Sequence, residues 1–352
     1  MPPEETAAPS RPAGPGLPRA PVRWLAALLH PTPVTMRRAA LACVIANVGI
    51  VATGAAVRLS ASGLGCPSWP ECTKSSLFAA HTRGDPMVHT WIEFGNRVLG
   101  FAVMATAVVA VVVAWRLRTG PGRQRRRDLL LLAALQPVGV LAQAAIGGVV
   151  VLTELDPVWV TVHFLISAAV VAAAVILHVR AAEGTGPARW LVRPELRVLG
   201  VATAGVTLAM LAAGTVVTGS GPLAGASDVP RYHLPRVAVT MFHADVGWVL
   251  GGAVFALALG LRLTGAPPRL TRLGYTLLAL IGLQGLLGYV QYFSGLPAGL
   301  VWVHESSAML IWVVVLQLAF AMRDRGPIEP ASPEGALAGT PVAGAGGFAK
   351  VT

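Results

Sequence analysis

Charge is what this chain has least of. Only 12% of its 352 residues are Asp, Glu, Lys or Arg, whereas a soluble domain of this size carries about a quarter. That shortage excludes an ordinary water-soluble fold. With 55% apolar residues and a mean hydropathy of +0.66, the chain offers apolar runs of about 20 residues. Each is long enough to cross a ~30 Å hydrocarbon layer at 1.5 Å per residue. The fold class is therefore an all-α polytopic membrane protein. Cysteine is scarce too, with three in all. No secretory signal is expected either: residues 1 to about 35 are rich in Pro, Ala and Arg and hold no apolar core or cleavage site. They read as a disordered basic cytoplasmic arm.

Acidic residues are fewer than basic ones, 16 against 27, a net charge of +11. Nucleic acid is not the partner this implies, because the arginines lie between hydrophobic runs, where they fix topology. Eight spans are expected, at about 39–57, 90–115, 129–151, 158–179, 198–218, 237–261, 273–293 and 300–322. The connections on one side, with both termini, hold 21 of the 27 basic residues. The other side holds Arg58, Lys74, Arg83, Arg97, Arg231 and Arg236. The positive-inside rule then puts both termini in the cytoplasm.

Two stretches read as copies of one another. QAAIGGVVVLTELDPVWVTVH runs from Gln143 to His163, and QGLLGYVQYFSGLPAGLVWVH from Gln284 to His304. Each has a glycine four residues after its glutamine and a histidine 20 residues after it, and seven of 21 positions match. GAAVRLSASG from Gly54 and GTVVTGSGPLAG from Gly214 repeat more weakly. The expected organisation is two tandem four-helix bundles in parallel. An arm (1–38) precedes the first half (39–179); a cytoplasmic linker (180–197), the second half (198–322) and a disordered tail (323–352) follow.

Polar groups inside spans cost roughly 2.5–3.5 kcal/mol each and need a reason. Here they are Glu93, Asn96 and Arg97, then His163, His243 and Asp245, and finally His304 and Glu305. All fall within about two turns of the non-cytoplasmic ends of four even-numbered spans. A lone membrane histidine usually packs by a hydrogen bond worth about 0.6 kcal/mol. Three at matched depth in a repeat point instead to axial ligation of haem iron. His243 and His304 form such a pair in the second half; in the first, Asn96 stands opposite His163. Zinc would need further ligands near each pair. Arg58, Arg97, Arg231 and Arg236 are candidates for meeting anionic haem propionates. Cys66 and Cys72 can close a disulfide in an oxidising compartment, either as a loop staple or as an exchangeable bond. Cys43 reads as a buried thiol. His30, His81, His178 and His233 are weaker candidates, and His89 shares a helical face with Glu93 and Asn96.

GAAVRLSASGLGCPSWPEC, IEFGNRVLG and the histidines of VHF, FHAD and VHES resemble the haem A synthase family over about residues 39–322. The resemblance implies an oxidoreductase of the bacterial cytoplasmic membrane. It would oxidise the C8 methyl of haem O to a formyl group by two hydroxylations and loss of water. It implies haem b as cofactor with His243 and His304 as axial ligands, and His163 as ligand of the substrate haem. Glu93 would be the essential acid, and Cys66 with Cys72 the outer-loop pair. Implied partners are a haem O synthase and the terminal oxidase, with lipid around the chain and homo-oligomerisation left open. Asn96 departs from the family pattern, which often has histidine there. It is expected to hydrogen-bond water or oxygen on the substrate iron. The rival readings are a diheme b-type cytochrome in electron transfer, and a transporter.

Overall fold

A computed structural model describes residues 29–79, 87–119 and 126–327. Among these, eight helices are long and apolar enough to cross a membrane: α1 (Pro33–Leu59), α2 (Met87–Thr119), α3 (Arg127–Leu152), α4 (Pro157–Ala181), α5 (Pro194–Ser220), α6 (Arg236–Leu263), α7 (Pro268–Phe293) and α8 (Ala298–Ala321). They match the eight expected spans, with most ends reaching a few residues further. Helices outrun their apolar cores because the last turns can carry polar residues into the headgroup layer. Local signals set the starts. Pro33, Pro157, Pro194 and Pro268 sit in the first helical positions, where proline's missing N–H is no loss. Thr32 forms a capping box with Thr35, so α1 begins inside the segment read as arm. Asp156 accepts from the Val158 N–H at 2.9 Å to start α4.

Neighbour contacts close two rings. In the first, α1 touches α2, α2 touches α3, α3 touches α4 and α4 touches α1; in the second, α5 to α8 do the same. The rings meet where α1 and α4 pack on α8 and α4 packs on α5. Trp302 Nε1 donates to the Ala52 carbonyl at 2.8 Å, and Trp312 Nε1 to the Ala168 carbonyl at 3.0 Å.

The core is unevenly placed along the helices. Its buried members include Met36, Ala40 and Cys43 of α1, Val113 of α2, Leu177 of α4, Leu261 of α6 and Leu318 of α8. Almost all lie in the first halves of odd helices and the second halves of even ones, Leu211 being an exception. Tight packing thus occupies the end of the bundle where α1 begins and α8 ends. The opposite end is where every candidate ligand lies.

The closely packed end carries a feature the sequence did not announce. β1 (Arg189–Trp190) in the linker pairs antiparallel with β2 (Arg323–Asp324) at the start of the segment read as tail. Glu183 gathers Arg180 at 2.5 Å, with Arg323 and Arg325 at 3.7 and 3.8 Å. His81 and Arg83 lie outside the described residues, as does most of the arm and tail.

Candidate functional site

The three histidines share one local arrangement. A Cβ built on Gly147 would meet His163 Cε1 at 3.3 Å and Nδ1 at 3.8 Å. Gly288 meets His304, and Gly214 meets His243, at the same two distances. Only those two ring atoms come within 4 Å, so Nε2 is turned away from the glycine in every case. All three Nδ1 atoms are buried without a hydrogen-bond partner. A metal-bound histidine is usually oriented by a hydrogen bond from its second nitrogen; here the glycine wall does the orienting. Glutamine fixes the helix behind it. Gln143 Nε2 donates to the His163 carbonyl at 3.1 Å, and Gln284 Nε2 to the His304 carbonyl at 2.8 Å.

His243 and His304 come from α6 and α8, across the second ring from one another, and their ring centroids lie 6.4 Å apart. Two metal–nitrogen bonds of about 2 Å, plus the distance from each nitrogen to its ring centre, require roughly 6 Å. The separation fits one metal between two imidazoles. Among the described residues no cluster of three or more His, Cys, Asp or Glu forms a metal site. A planar macrocycle supplies its own four nitrogens and needs only the axial pair. The donor set fits haem and does not fit zinc.

In the first ring, Asn96 takes the corresponding place on α2. The Gly54 Cβ position lies 3.9 Å from Asn96 Nδ2, and Thr53 Oγ1 donates to Asn96 Oδ1 at 2.7 Å. The same hydroxyl lies 3.1 Å from the Ile50 carbonyl of its own helix, so the two acceptors share its one hydrogen; the Asn96 NH2 group makes no hydrogen bond among the described residues. Sequence reasoning had no sign of Thr53; its hydroxyl sits one residue before a glycine already noted.

Glu93 is 6% exposed and closely held. Its Oε2 accepts from the Cys66 N–H at 2.7 Å, and its Oε1 from Arg97 Nη2 at 2.6 Å and Nε at 3.1 Å. Arg97 also donates to the carbonyls of Cys66, Ser68 and Glu71 at 2.8, 3.0 and 3.2 Å. Cys66 and Cys72 are disulfide-bonded. Trp69 of the same loop rests on α3, where a Gly148 Cβ would lie 2.6 Å from its ring. The disulfide loop is thus seated over the first ring by Glu93, Arg97 and Trp69.

The family profile of the COX15-CtaA group, described as cytochrome oxidase assembly proteins, matches residues 37–316. The chain belongs to the COX15-CtaA family. A haem A synthase of Geobacillus thermodenitrificans is 33% identical over 108 residues, which is 30% of this chain and 30% of that protein. One from Alkalihalophilus pseudofirmus is 26% identical over 151 residues, 42% of this chain and 48% of the relative. The aligned part spans less than half the length of either relative.

The remaining candidates of this COX15-CtaA chain separate. Arg58 donates to Glu305 and to the Leu223 carbonyl, so it bridges the rings. Arg231 holds its own loop through the carbonyls of Gly221, Ala226 and Ser227. Arg231 and Arg236 line a cleft of about 530 Å³ with Tyr232 and Ser220. Of the four arginines named for propionates, Arg236 alone makes no side-chain hydrogen bond or ion pair among the described residues. Glu305 pairs with Arg58, and Asp245 is exposed. His89 bonds Ser62 Oγ at 2.8 Å, a loop anchor, and Cys43 is a buried free thiol.

Proposed function

We propose that this chain is a haem A synthase, oxidising the C8 methyl of haem O to a formyl group by successive hydroxylations. In this reading the two rings are tandem halves, with the ligand-bearing end on the outer face of a bacterial cytoplasmic membrane. The observation that carries the proposal is the pair of unlike sites set in like surroundings: His243 and His304 across one ring, Asn96 and His163 across the other. His243 and His304 would hold haem b in the second ring. When bound there, haem b supplies a one-electron redox centre. The first ring would take haem O as substrate, with His163 as the residue to hold its iron and Asn96 on the facing helix.

The residues then divide the work. Asparagine is a poor iron ligand, so a haem held by His163 would keep a position open, which suits oxygen chemistry better than a bis-histidine site. The Asn96 amide, beside Thr53, would offer its NH2 group as a hydrogen-bond donor at that position. Glu93, facing Arg97 and the Cys66 N–H, is a carboxylate whose negative charge stabilises positive charge developing near the methyl. It also seats the disulfide loop, which excludes bulk water from that end. Haem O synthase as supplier of substrate and the terminal oxidase as recipient of product complete the proposal.

The test is expression of the full chain with a source of haem O, followed by extraction and mass analysis of the haems. The formyl product is expected, and Glu93→Ala should abolish it. Recovery of haem b alone while haem O is present would instead favour an electron-carrying cytochrome. A colourless protein would remove both haem readings.

A further inference from the structure

Glu305 is the one acidic side chain beside a proposed ligand in the second ring whose partner comes from the first. It directly follows His304, and its Oε1 accepts from Arg58 Nη2, while Arg58 Nη1 holds the Leu223 carbonyl. The two side chains are only 15% and 22% exposed. Arg58 stands one turn beyond Gly54, the glycine behind Asn96. On the same seam Trp302 of α8 donates to Ala52 of α1. Within four residues, α8 therefore carries a donor to the first ring, a proposed iron ligand and a charge paired with the first ring.

The pair has no counterpart at the equivalent positions of the repeat. In the register that sets Gly54 beside Gly214 and His163 beside His304, Arg58 corresponds to Thr218 and Glu305 to Phe164. Thr218 bonds back to Gly214 of its own helix at 2.8 Å. The ion pair thus lies only between the rings. Mechanical joining does not demand it there, because Trp312 on Ala168 already ties the rings and the β1–β2 pairing ties linker to tail. What the pair adds is a compensated charge beside an iron site in a medium of low dielectric, where charges act strongly.

We infer that Arg58 and Glu305 are positioning residues that tune the redox poise of the His243–His304 site and link it to the wall of the first-ring site. The inference rests on haem being bound at His243 and His304. An uncompensated carboxylate beside the iron favours its oxidised form, and an uncompensated guanidinium its reduced form. Removing one partner exposes the charge of the other.

The experiment is a redox titration of the low-spin haem in the purified, haem-loaded full chain. At a fixed ambient potential, Arg58→Met should lower the reduced-to-oxidised ratio on the order of tenfold, and Glu305→Gln should raise it by a similar factor. The double variant should return close to wild type. Arg58→Lys and Glu305→Asp, which keep both charges, should stay within about twofold. Shifts of one sign in both charge-removing variants would mean that only packing was disturbed, and would overturn the inference. So would an unmoved ratio in Glu305→Gln with a shift in Arg58→Met, the result expected if Arg58 holds a haem propionate instead. A wild-type protein with no low-spin haem would take down the haem reading, and this inference with it.

Discussion

The second ring sets histidine against glycine twice, His243 on Gly214 and His304 on Gly288; the first does so once, with His163 on Gly147, and sets Asn96 by Gly54. The surroundings agree closely: a Cβ on each of three glycines would lie 3.3 Å from an imidazole, and two glutamines reach back to a histidine carbonyl. The contents of one position differ. A wall that tolerates either residue allows the ligand to change without rebuilding the helices around it. The rings also differ in what covers them. The first has a disulfide loop seated by Arg97, Glu93 and Trp69, whereas the loop of the second is held by Arg231 to its own carbonyls and tied to the first ring through Arg58 and Tyr232. We read the covered, singly ligated ring as the reactive one and the doubly ligated ring as the resident haem site.

The largest effect that would break this comparison is loss of a ligand. His243→Ala or His304→Ala should remove nearly all low-spin haem absorbance from the purified protein, and His163→Ala should leave it. Low-spin absorbance lost on His163→Ala and kept on His304→Ala would reverse the assignment of the two rings. Next comes an attempt to make the rings alike. Asn96→His should turn the substrate haem low-spin by electron paramagnetic resonance, as the open position fills. Asn96→Ala should lower turnover without creating a low-spin signal; unchanged turnover and spectrum would remove Asn96 from the site.

Smaller effects sharpen the role of the wall. Gly288→Ala places a methyl 3.3 Å from His304 Cε1. Overpacking of this kind costs about 1–3 kcal/mol, so haem retention after purification should fall severalfold. Gly282→Ala on the same helix meets nothing within 4 Å and should match wild type. The smallest change is Thr53→Val, which removes the bond that orients Asn96. A net hydrogen bond is worth about 1 kcal/mol, so a turnover loss of about twofold to fivefold is expected, with the low-spin haem untouched.

Much of this was legible in the sequence because the signals are local. Apolar runs mark the spans, and a glutamine, a glycine and a histidine at fixed spacing mark α3–α4 and α7–α8. The glycine four residues after each glutamine was visible, though its purpose was not. The structure shows it facing the imidazole. What the sequence concealed joins positions far apart in the chain. Arg58 and Glu305 are 247 residues apart, and neither carries a motif naming the other. Arg97 read as a propionate contact because an arginine at a membrane surface has many possible partners. Its use on Glu93 and three carbonyls follows from how the loop between Cys66 and Cys72 folds back. Thr53 was invisible because a threonine in a span ordinarily bonds its own helix, as its hydroxyl also does here at the Ile50 carbonyl.

The pairing of β1 with β2 has a consequence for how the chain is made. Trp190 pairs with Arg323, 133 positions later. At about 5–20 residues per second, translation needs on the order of ten seconds to cover that interval. During it the four helices of the first ring are complete, while Glu183 has its neighbour Arg180 but neither Arg323 nor Arg325. The seam at that end therefore closes only after the last helix has been synthesised, so that completion of the second ring and fastening of the first become a single late event.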